Sequence, residues 1–135
     1  MTLNRSVPIR HSEVLSAEEI ARISLGCLQD KKATEIRTLC VTKATILADY
    51  FIIATVQNAR QAAAASESIR REIKRRGGMP TGTEGEEHGW WTLVDLATVV
   101  VHIMQAEARS FYDLDNYWGD SPEVKLDPIM PEEAA

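Results

Sequence analysis

Two apolar runs close to each other constrain the fold of this chain most. They are "WWTLVDL" and "VVVHIM", with only Ala97 and Thr98 between them. Both runs are rich in aromatic and β-branched residues, and a two-residue connection is typical of a tight β-hairpin. Side chains alternate along a strand, so Trp90 and Trp91 point to opposite sides, and both are buried only if both sheet faces are covered. The pattern predicts a hairpin within a layered sheet, with at least one tryptophan partly exposed. Ala-Thr suits the positive φ of such a turn poorly, so the turn geometry stays open.

Capping signals predict two amphipathic helices. Ser16 and Glu19 have the spacing of a capping box, and Asn58 and Gln61 repeat it before an alanine-rich segment that Gly77 ends. Apolar residues recur at helical intervals in both segments. The predicted buried faces are Ile20, Ile23, Cys27 and Leu28 in the first helix and Ala62, Ala65, Ile69 and Ile73 in the second.

The remaining segments complete a predicted α/β domain. "EIRTLCV" and "YFIIAT" are typical of strands, residues 77–89 of a loop with a short strand, and "AEARSFYDLDNYW" of a third helix with Phe111, Leu114 and Trp118 on one side. This order predicts a single α/β (α+β) domain with a mixed five-stranded sheet covered by helices. We predict a mobile N-terminal segment over 1–13, the domain over 14–120 and an irregular C-terminal tail over 121–135.

Length and composition limit the class of protein. A chain of 135 residues is the size of one ordinary domain. It contains no apolar run near the roughly 20 residues that span a membrane, so we predict a cytoplasmic protein that does not bind membranes. Cys27 and Cys40 are far apart in sequence, which favours buried thiols over a disulfide or half a metal site.

Charge divides the chain into two unequal parts. Residues 1–83 hold 13 Lys and Arg against 8 Asp and Glu, a net +5, whereas residues 84–135 hold 2 against 12, a net −10. The basic run "RREIKRR" lies at the predicted end of the second helix, where cations favour the helix dipole. The acidic part would repel a phosphate backbone, so the sequence favours a basic protein surface as its partner.

His102 and three aspartates are the candidates for chemistry. No further His or Cys stands at ligand spacing from His102, and no nucleophile motif accompanies it. Asp113 and Asp115 are two apart, so on a continuous helix their carboxylates would diverge. We therefore predict no metal, no cofactor and no catalytic residue, and interpret His102 as a structural or interface residue. The alternative that stays open is a nucleotidyltransferase-like enzyme using Asp95 and His102.

Aromatic residues are concentrated in the second half of the chain. Six of the eight fall within 29 positions: Trp90, Trp91, Phe111, Tyr112, Tyr117 and Trp118. Exposed tryptophan and tyrosine beside an arginine such as Arg109 are the residue types that anchor protein interfaces. The cluster is consistent with a core and with an interface, and we favour an interface for part of it.

These residues give the chain a resemblance to the Iojap family, the ribosomal silencing factors. The resemblance covers about residues 18–119, and four segments carry it: "ADYFIIAT" at 48–55, Arg60, Glu84-Gly85, and above all "WTLVDLATVVVHIMQAEARSFYDLDNYW" at 91–118. The chain departs from the family pattern at Ala97-Thr98, where Gly-Asp is usual, and at Asn58, where Ser is common. The departure at 97–98 puts the hairpin geometry in doubt, and Asn58 caps a helix equally well.

The resemblance implies a nucleotidyltransferase-like core without the catalytic motif, and a role outside catalysis. It implies binding to the large ribosomal subunit through its protein L-fourteen, which sterically excludes the small subunit and represses translation when nutrients are scarce. Secondary contact with ribosomal RNA and a homodimer both stay open. The residues that the resemblance marks as contact-forming or surface-forming are Trp91, Asp95, His102, Arg109, Tyr112, Leu114 and Trp118, with Asp49 and Tyr50 nearby.

Overall fold

The computed structural model describes residues 14–131, which contain five strands and four helices. The strands are β1 (Thr34–Cys40), β2 (Tyr50–Val56), β3 (Gly82–Glu84), β4 (Trp91–Asp95) and β5 (Val99–Gln105), and the helices are α1 (Ala17–Asp30), α2 (Ala59–Arg75), α3 (Ala106–Tyr112) and α4 (Leu114–Tyr117). The sheet order is β1-β2-β5-β4-β3, with β2 and β5 parallel and the other pairs antiparallel. This confirms the predicted mixed five-stranded α/β fold. The segment predicted to be mobile, 1–13, lies outside the described residues.

The two capping signals begin α1 and α2 as predicted. Ser16 Oγ accepts from the Glu19 N–H, and the Glu19 carboxylate accepts from the Ser16 N–H, which completes the capping box. Asn58 Oδ1 accepts from the Gln61 N–H, whereas Gln61 Oε1 accepts from the N–H of Gln57, one residue before the cap. Both predicted apolar faces are buried.

The two faces of the sheet have different covers. On the first, which we call the covered face, aliphatic residues pack under α1 and α2; the strands contribute Ile52, Ala54, Val56, Val94, Val99, Val101 and Ile103. On the second, which we call the aromatic face, a smaller core forms around Leu39, Val41, Phe51, Ile53, Met104 and Ala108, with Trp91, Val100, Leu114 and Trp118 packed against it. Alternation along each strand separates the two sets.

The β4–β5 hairpin turns at Ala97 and Thr98 as predicted, although Leu96 also lies outside the strands, so three residues connect them. Leu96 N–H donates to the Val99 carbonyl at 2.9 Å, and Ala97 adopts a φ of 70°, a left-handed conformation that costs an L-residue free energy. The Asp95 carboxylate accepts from the Ala97 N–H at 2.9 Å and stabilises the turn. This side-chain hydrogen bond therefore stabilises a turn conformation for which glycine is the usual residue.

The single third helix of the sequence interpretation is wrong. Asp113 has a φ of 55°, in the left-handed region that aspartate tolerates better than most residues, and it separates α3 from α4. Because the chain changes direction there, Phe111 is 74% exposed, whereas Leu114 and Trp118 pack on the aromatic face. The continuous helix assumed for Asp113 and Asp115 is therefore absent, although their carboxylates do bond different partners: Asn116 for Asp113, and two arginines for Asp115.

Residues 121–131 form no helix or longer strand, yet they pack on the domain. The Cys40 N–H donates to the Pro122 carbonyl at 2.8 Å, so this segment covers the free edge of β1. The Ile129 N–H donates to the Arg22 carbonyl, and the Ile129 carbonyl lies so near Gly26 that a Cβ there would be 1.9 Å from it. The segment thus crosses α1 at a glycine. The domain boundary after residue 120 stays a prediction.

Two further sequence predictions concern membrane segments and thiols. Among residues 14–131, no helix is both long enough and apolar enough to cross a membrane. Cys27 and Cys40 are free thiols, and Cys27 is buried while Cys40 is half-buried. Burial raises the pKa of the Cys27 thiol, so it stays protonated at neutral pH.

Candidate functional site

The aromatic face is only partly covered, and this makes it the candidate site. The short helices α3 and α4 cover the β1, β2 and β5 side of it. Trp91, Leu93 and Asp95 alternate along β4 on this face and are all half-buried, as is Val100 on β5. A strip of sheet with an apolar centre therefore stays open between the helices and the edge strand β3.

A continuous series of rings crosses this face. The Trp118 ring meets the Phe51 ring at a centroid distance of 4.8 Å, and Phe51 meets His102 at 5.1 Å. His102 meets Trp91 at 5.9 Å, and Trp91 meets Tyr112 at 4.6 Å. Edge-to-face and tilted pairs at these distances add to the free energy of burial. The rings connect α4 to α3 through the sheet, so both helices are held by the same cluster.

His102 is a buried, neutral member of this series. It is 6% exposed, and its Nδ1 accepts from the Trp91 Nε1–H at 3.2 Å. Burial lowers its pKa to about 4, so the imidazole is uncharged at neutral pH. Its Nε2 has no hydrogen-bond partner among residues 14–131. Since the Asp95 carboxylate bonds the Ala97 N–H instead, the contacts do not pair Asp95 with His102 as an acid–base couple.

Arg109 belongs to an ion cluster on the aromatic side of the sheet, where it also donates to the Thr55 hydroxyl. Its guanidinium donates twice to the Asp115 carboxylate, at 3.0 Å each, and once to the Glu35 carbonyl at 2.6 Å. Arg37 donates to the same carboxylate at 2.7 Å. The two guanidinium groups hold the pKa of Asp115 near 2, with Arg109 the larger cause. Glu35 lies in a bulge of β1 with a φ of 50°, and its carbonyl is the acceptor for Arg109.

Two exposed rings, Trp90 and Phe111, extend the site beyond the predicted residues. Tyr112 is 43% exposed, and Trp90 and Phe111 lie beside it, with ring centroids 6.0 and 5.0 Å from its own. The residues that the family resemblance marks include Tyr112 but neither neighbour. Their positions next to family-matched aromatic residues are the signal that could have identified them.

The predicted site residues divide into two groups in space. Asp49 and Tyr50 lie at the hairpin end of the sheet, where the Asp49 N–H donates to the Thr98 carbonyl at 2.7 Å. The Tyr50 ring packs against the core of the covered face, and burial raises its pKa. Asp95 is at this end too, on the aromatic face. The structure brings together the others: Trp91, His102, Tyr112, Leu114 and Trp118, with Arg109 beneath.

Metal-ligand chemistry has little support in the described residues. Between residues 14 and 131, no three His, Cys, Asp or Glu side chains are grouped so that they could hold a metal ion. Both Asp115 oxygens are bonded to guanidinium groups, and His88 is exposed in the loop before β4.

Fold and site together define a small α/β protein whose most developed surface is an aromatic, partly open sheet face of the kind that contacts another macromolecule. The sequence profile of one family, described as "Ribosomal silencing factor during starvation", matches residues 14–135. The chain belongs to this family, and its family role is ribosome silencing. The predicted Iojap resemblance is thereby confirmed.

Individual relatives agree with this assignment. The chain is 36% identical over 105 residues to ribosomal silencing factor RsfS of Chromobacterium violaceum, covering 78% of this chain and 86% of the relative. It is 33% identical over 113 residues to the Bacillus subtilis protein of that name, covering 84% and 96%. The chloroplastic protein Iojap of Zea mays is 34% identical over 95 residues, which are 70% of this chain and 41% of the plant protein.

A solved structure shows the same fold. The crystal structure of a Chromobacterium violaceum protein superposes with a TM-score of 0.76 at 34% sequence identity, covering 83% of this chain and 92% of that one. A Bacillus halodurans crystal structure gives a TM-score of 0.72 at 28% identity, covering 81% and 99%. The mixed sheet described above is therefore an architecture that its relatives share.

Proposed function

We propose that this protein binds the large ribosomal subunit through protein L-fourteen, by means of its aromatic face. The bound protein then occupies space that the small subunit needs, so subunits fail to join and translation is repressed. The observation that carries the proposal is the half-open aromatic face, because the opposite side of the sheet is sealed by α1 and α2. The names of the relatives supply the ribosome as the target.

The chemistry of this face suits a basic protein surface. Half-buried rings bury a large area at small entropic cost, which is how a few aromatic residues dominate the free energy of binding. The part of the chain that builds most of this face, residues 84–135, has a net charge of −10. Long-range attraction to a basic surface would speed encounter, and the rings would then slow dissociation.

The predicted site residues take different roles in this proposal. Accessible side chains make contact, whereas buried ones hold the surface in shape. The contact residues are Trp91, Asp95, Tyr112, Leu114 and Trp118, to which we add Leu93 and Val100. His102 and Arg109 act as supports, and Asp49 and Tyr50 lie at the rim near the hairpin.

Subunit joining tests the proposal directly. Purified protein is incubated with large subunits, small subunits are added, and joined ribosomes are separated on a sedimentation gradient. We expect the fraction of joined ribosomes to fall as the protein concentration rises. Unchanged joining at a saturating protein concentration would refute the proposal.

Surface variants locate the interface. Tyr112→Ala removes an exposed ring from the aromatic face, and Met79→Ala removes an exposed side chain near α2 as the matched control. We expect the first to weaken binding to large subunits about tenfold or more and the second to leave it unchanged. Trp91→Ala and Trp118→Ala should weaken binding as well, and circular dichroism separates that effect from unfolding. Equal binding by the Tyr112 and Met79 variants would place the interface elsewhere.

An enzymatic role for Asp95 and His102 makes a different prediction. A nucleotidyltransferase-like site would bind nucleotide with Mg²⁺ and raise the melting temperature at millimolar concentration. We expect no change in the melting temperature. Both side chains are already hydrogen-bonded within the β4–β5 hairpin, His102 to the Trp91 indole and Asp95 to the Ala97 N–H.

Contact with ribosomal RNA and self-association are secondary parts of the proposal. Arg71 and Lys74 are exposed on α2, whereas Glu72 neutralises part of the charge of Arg75 and Arg76. RNA contact there predicts an affinity for large subunits that falls steeply with salt. The alanine-rich face of α2 is buried within the chain, so a homodimer would need another surface; sedimentation equilibrium measures it.

A further inference from the structure

Glu84 and Gly85 carry part of the family resemblance but are not among the proposed contact residues. Glu84 ends the edge strand β3 and pairs in register with Leu93, which pairs in turn with His102. Residues opposite each other in a sheet project from the same face, so the Glu84 side chain lies on the aromatic face. It is exposed and makes no hydrogen bond or ion pair with another residue of 14–131.

Gly85 holds the end of β3 close to the backbone of Trp91. Its φ is 82°, and a Cβ at this position would be 2.1 Å from the Trp91 carbonyl oxygen. Only glycine combines that conformation with that approach. The end of β3 is therefore held directly against the start of β4.

A cavity of about 220 Å³ lies at this junction, lined by Glu84, Gly85, Trp91 and Leu93. It is smaller than most small-molecule sites, which measure roughly 300–1,000 Å³, so it suits a single side chain better than a cofactor. Its lining combines the aromatic residue Trp91 and the aliphatic residue Leu93 with Glu84, whose carboxylate has no partner among residues 14–131. That combination selects an occupant that is both cationic and able to pack on a ring.

We propose that this cavity receives an arginine side chain of the ribosomal partner, an inference that rests on the proposed function. The guanidinium pairs with the Glu84 carboxylate and packs against the Trp91 indole. Arginine fits better than lysine because its planar, weakly hydrated group stacks on aromatic rings and bonds a carboxylate through two N–H groups. Glu84 is then a specificity-determining residue of the aromatic face.

The first test uses a small probe and does not depend on ribosomes. N-acetyl-arginine amide carries a single guanidinium charge, and it is titrated at millimolar concentration into the ¹⁵N-labelled full chain. The Trp91 indole N–H resonance, assigned with Trp91→Phe, should shift with the arginine probe and less with N-acetyl-lysine amide. Glu84→Gln should abolish most of the shift, whereas Glu87→Gln, at an exposed acid in the loop that follows β3, should retain it. No response of Trp91 to the arginine probe would overturn the inference.

The second test uses large ribosomal subunits. Glu84→Gln should weaken binding about tenfold and reduce its dependence on salt, whereas Glu87→Gln should bind within about twofold of the wild type. Both variants should melt at the wild-type temperature, because neither side chain bonds another described residue. If the wild type binds subunits and Glu84→Gln binds equally well, the arginine site is wrong and the proposed function stands. If the wild type does not bind subunits, the proposed function fails and the probe titration alone decides the chemistry of the cavity.

Discussion

The two faces of the sheet differ in their side chains and in how completely helices cover them. The covered face is aliphatic, and α1 and α2, of 14 and 17 residues, seal it. The aromatic face is built from rings, a buried imidazole and an ion cluster, and helices of 7 and 4 residues leave part of it open. The difference teaches that the same strands can supply a sealed core on one side and, in the function we propose, a recognition surface on the other, because alternate residues belong to different environments.

The largest expected effect is a difference in unfolding free energy between a variant of the covered face and a variant of the aromatic face. Ile69→Ala removes a fully buried side chain under the covered face and should lower the free energy of unfolding by about 3 kcal/mol. Val100→Ala on the aromatic face should cost about 1 kcal/mol, because Val100 is half-exposed already. Urea denaturation measures both. Equal losses would show that the aromatic face is as tightly packed as the covered one.

The pH dependence of stability should reveal the buried histidine of the aromatic face. The folded-state pKa of His102 is lowered from 6.5 to about 4, so the unfolded chain takes up the proton first. Stability should be complete above pH 6.5 and fall by up to about 3 kcal/mol as the pH drops toward 4. His102→Gln should flatten the profile of unfolding free energy in this window, and His88→Gln, at an exposed residue, is its control. A profile of the His102 variant that matches the wild type would contradict the burial of a neutral imidazole.

A third comparison concerns one carboxylate on each side of the sheet. Asp115 and Glu72 each bond two arginines, and each has a pKa lowered to about 2. Both therefore stabilise the fold above their unfolded pKa values, and that stability is lost as the pH falls toward 2. Asp115→Asn and Glu72→Gln should each cost about 2 kcal/mol at pH 7.

Only one of these two variants should change recognition. Asp115 anchors α4, which positions Trp118 on the aromatic face, whereas Glu72 lies on α2. We expect Asp115→Asn to weaken binding to large subunits and Glu72→Gln to preserve it, at temperatures where both are folded. Equal binding by the two variants would show that the ion cluster around Asp115 does not contribute to recognition.

The smallest effect should be a gain in stability. Ala97 has a φ of 70°, so Ala97→Gly relieves left-handed strain and should raise the free energy of unfolding by about 1 kcal/mol. Thermal melting checks this, and Thr98→Gly, at a residue without positive φ, is the control that should not stabilise. A loss of stability in Ala97→Gly would mean that the conformational entropy that glycine loses on folding exceeds the strain that it relieves.

Local signals were sufficient for much of the fold. The capping residues Ser16 and Asn58 begin their helices, and the hairpin turns at the predicted residues, because these features depend on neighbours within a few residues. The break at Asp113 was missed, since the sequence on both sides is helical and only packing on the sheet decides where the chain turns. The aromatic cluster was recognised as a candidate site, but the exposed Trp90 and Phe111 were not selected.

The sequence by itself determined the α/β fold, the family and the concentration of aromatic and acidic residues in the second half of the chain. Periodicity, capping and motif order act over short distances and can be read from the sequence. Only the tertiary structure decided that His102 accepts from Trp91, that Arg109 and Arg37 share Asp115, and that Glu84 lies beside a cavity without a partner in residues 14–131. Those relations join residues distant in sequence, and their free energies depend on burial, which exists only once the sheet and helices have packed.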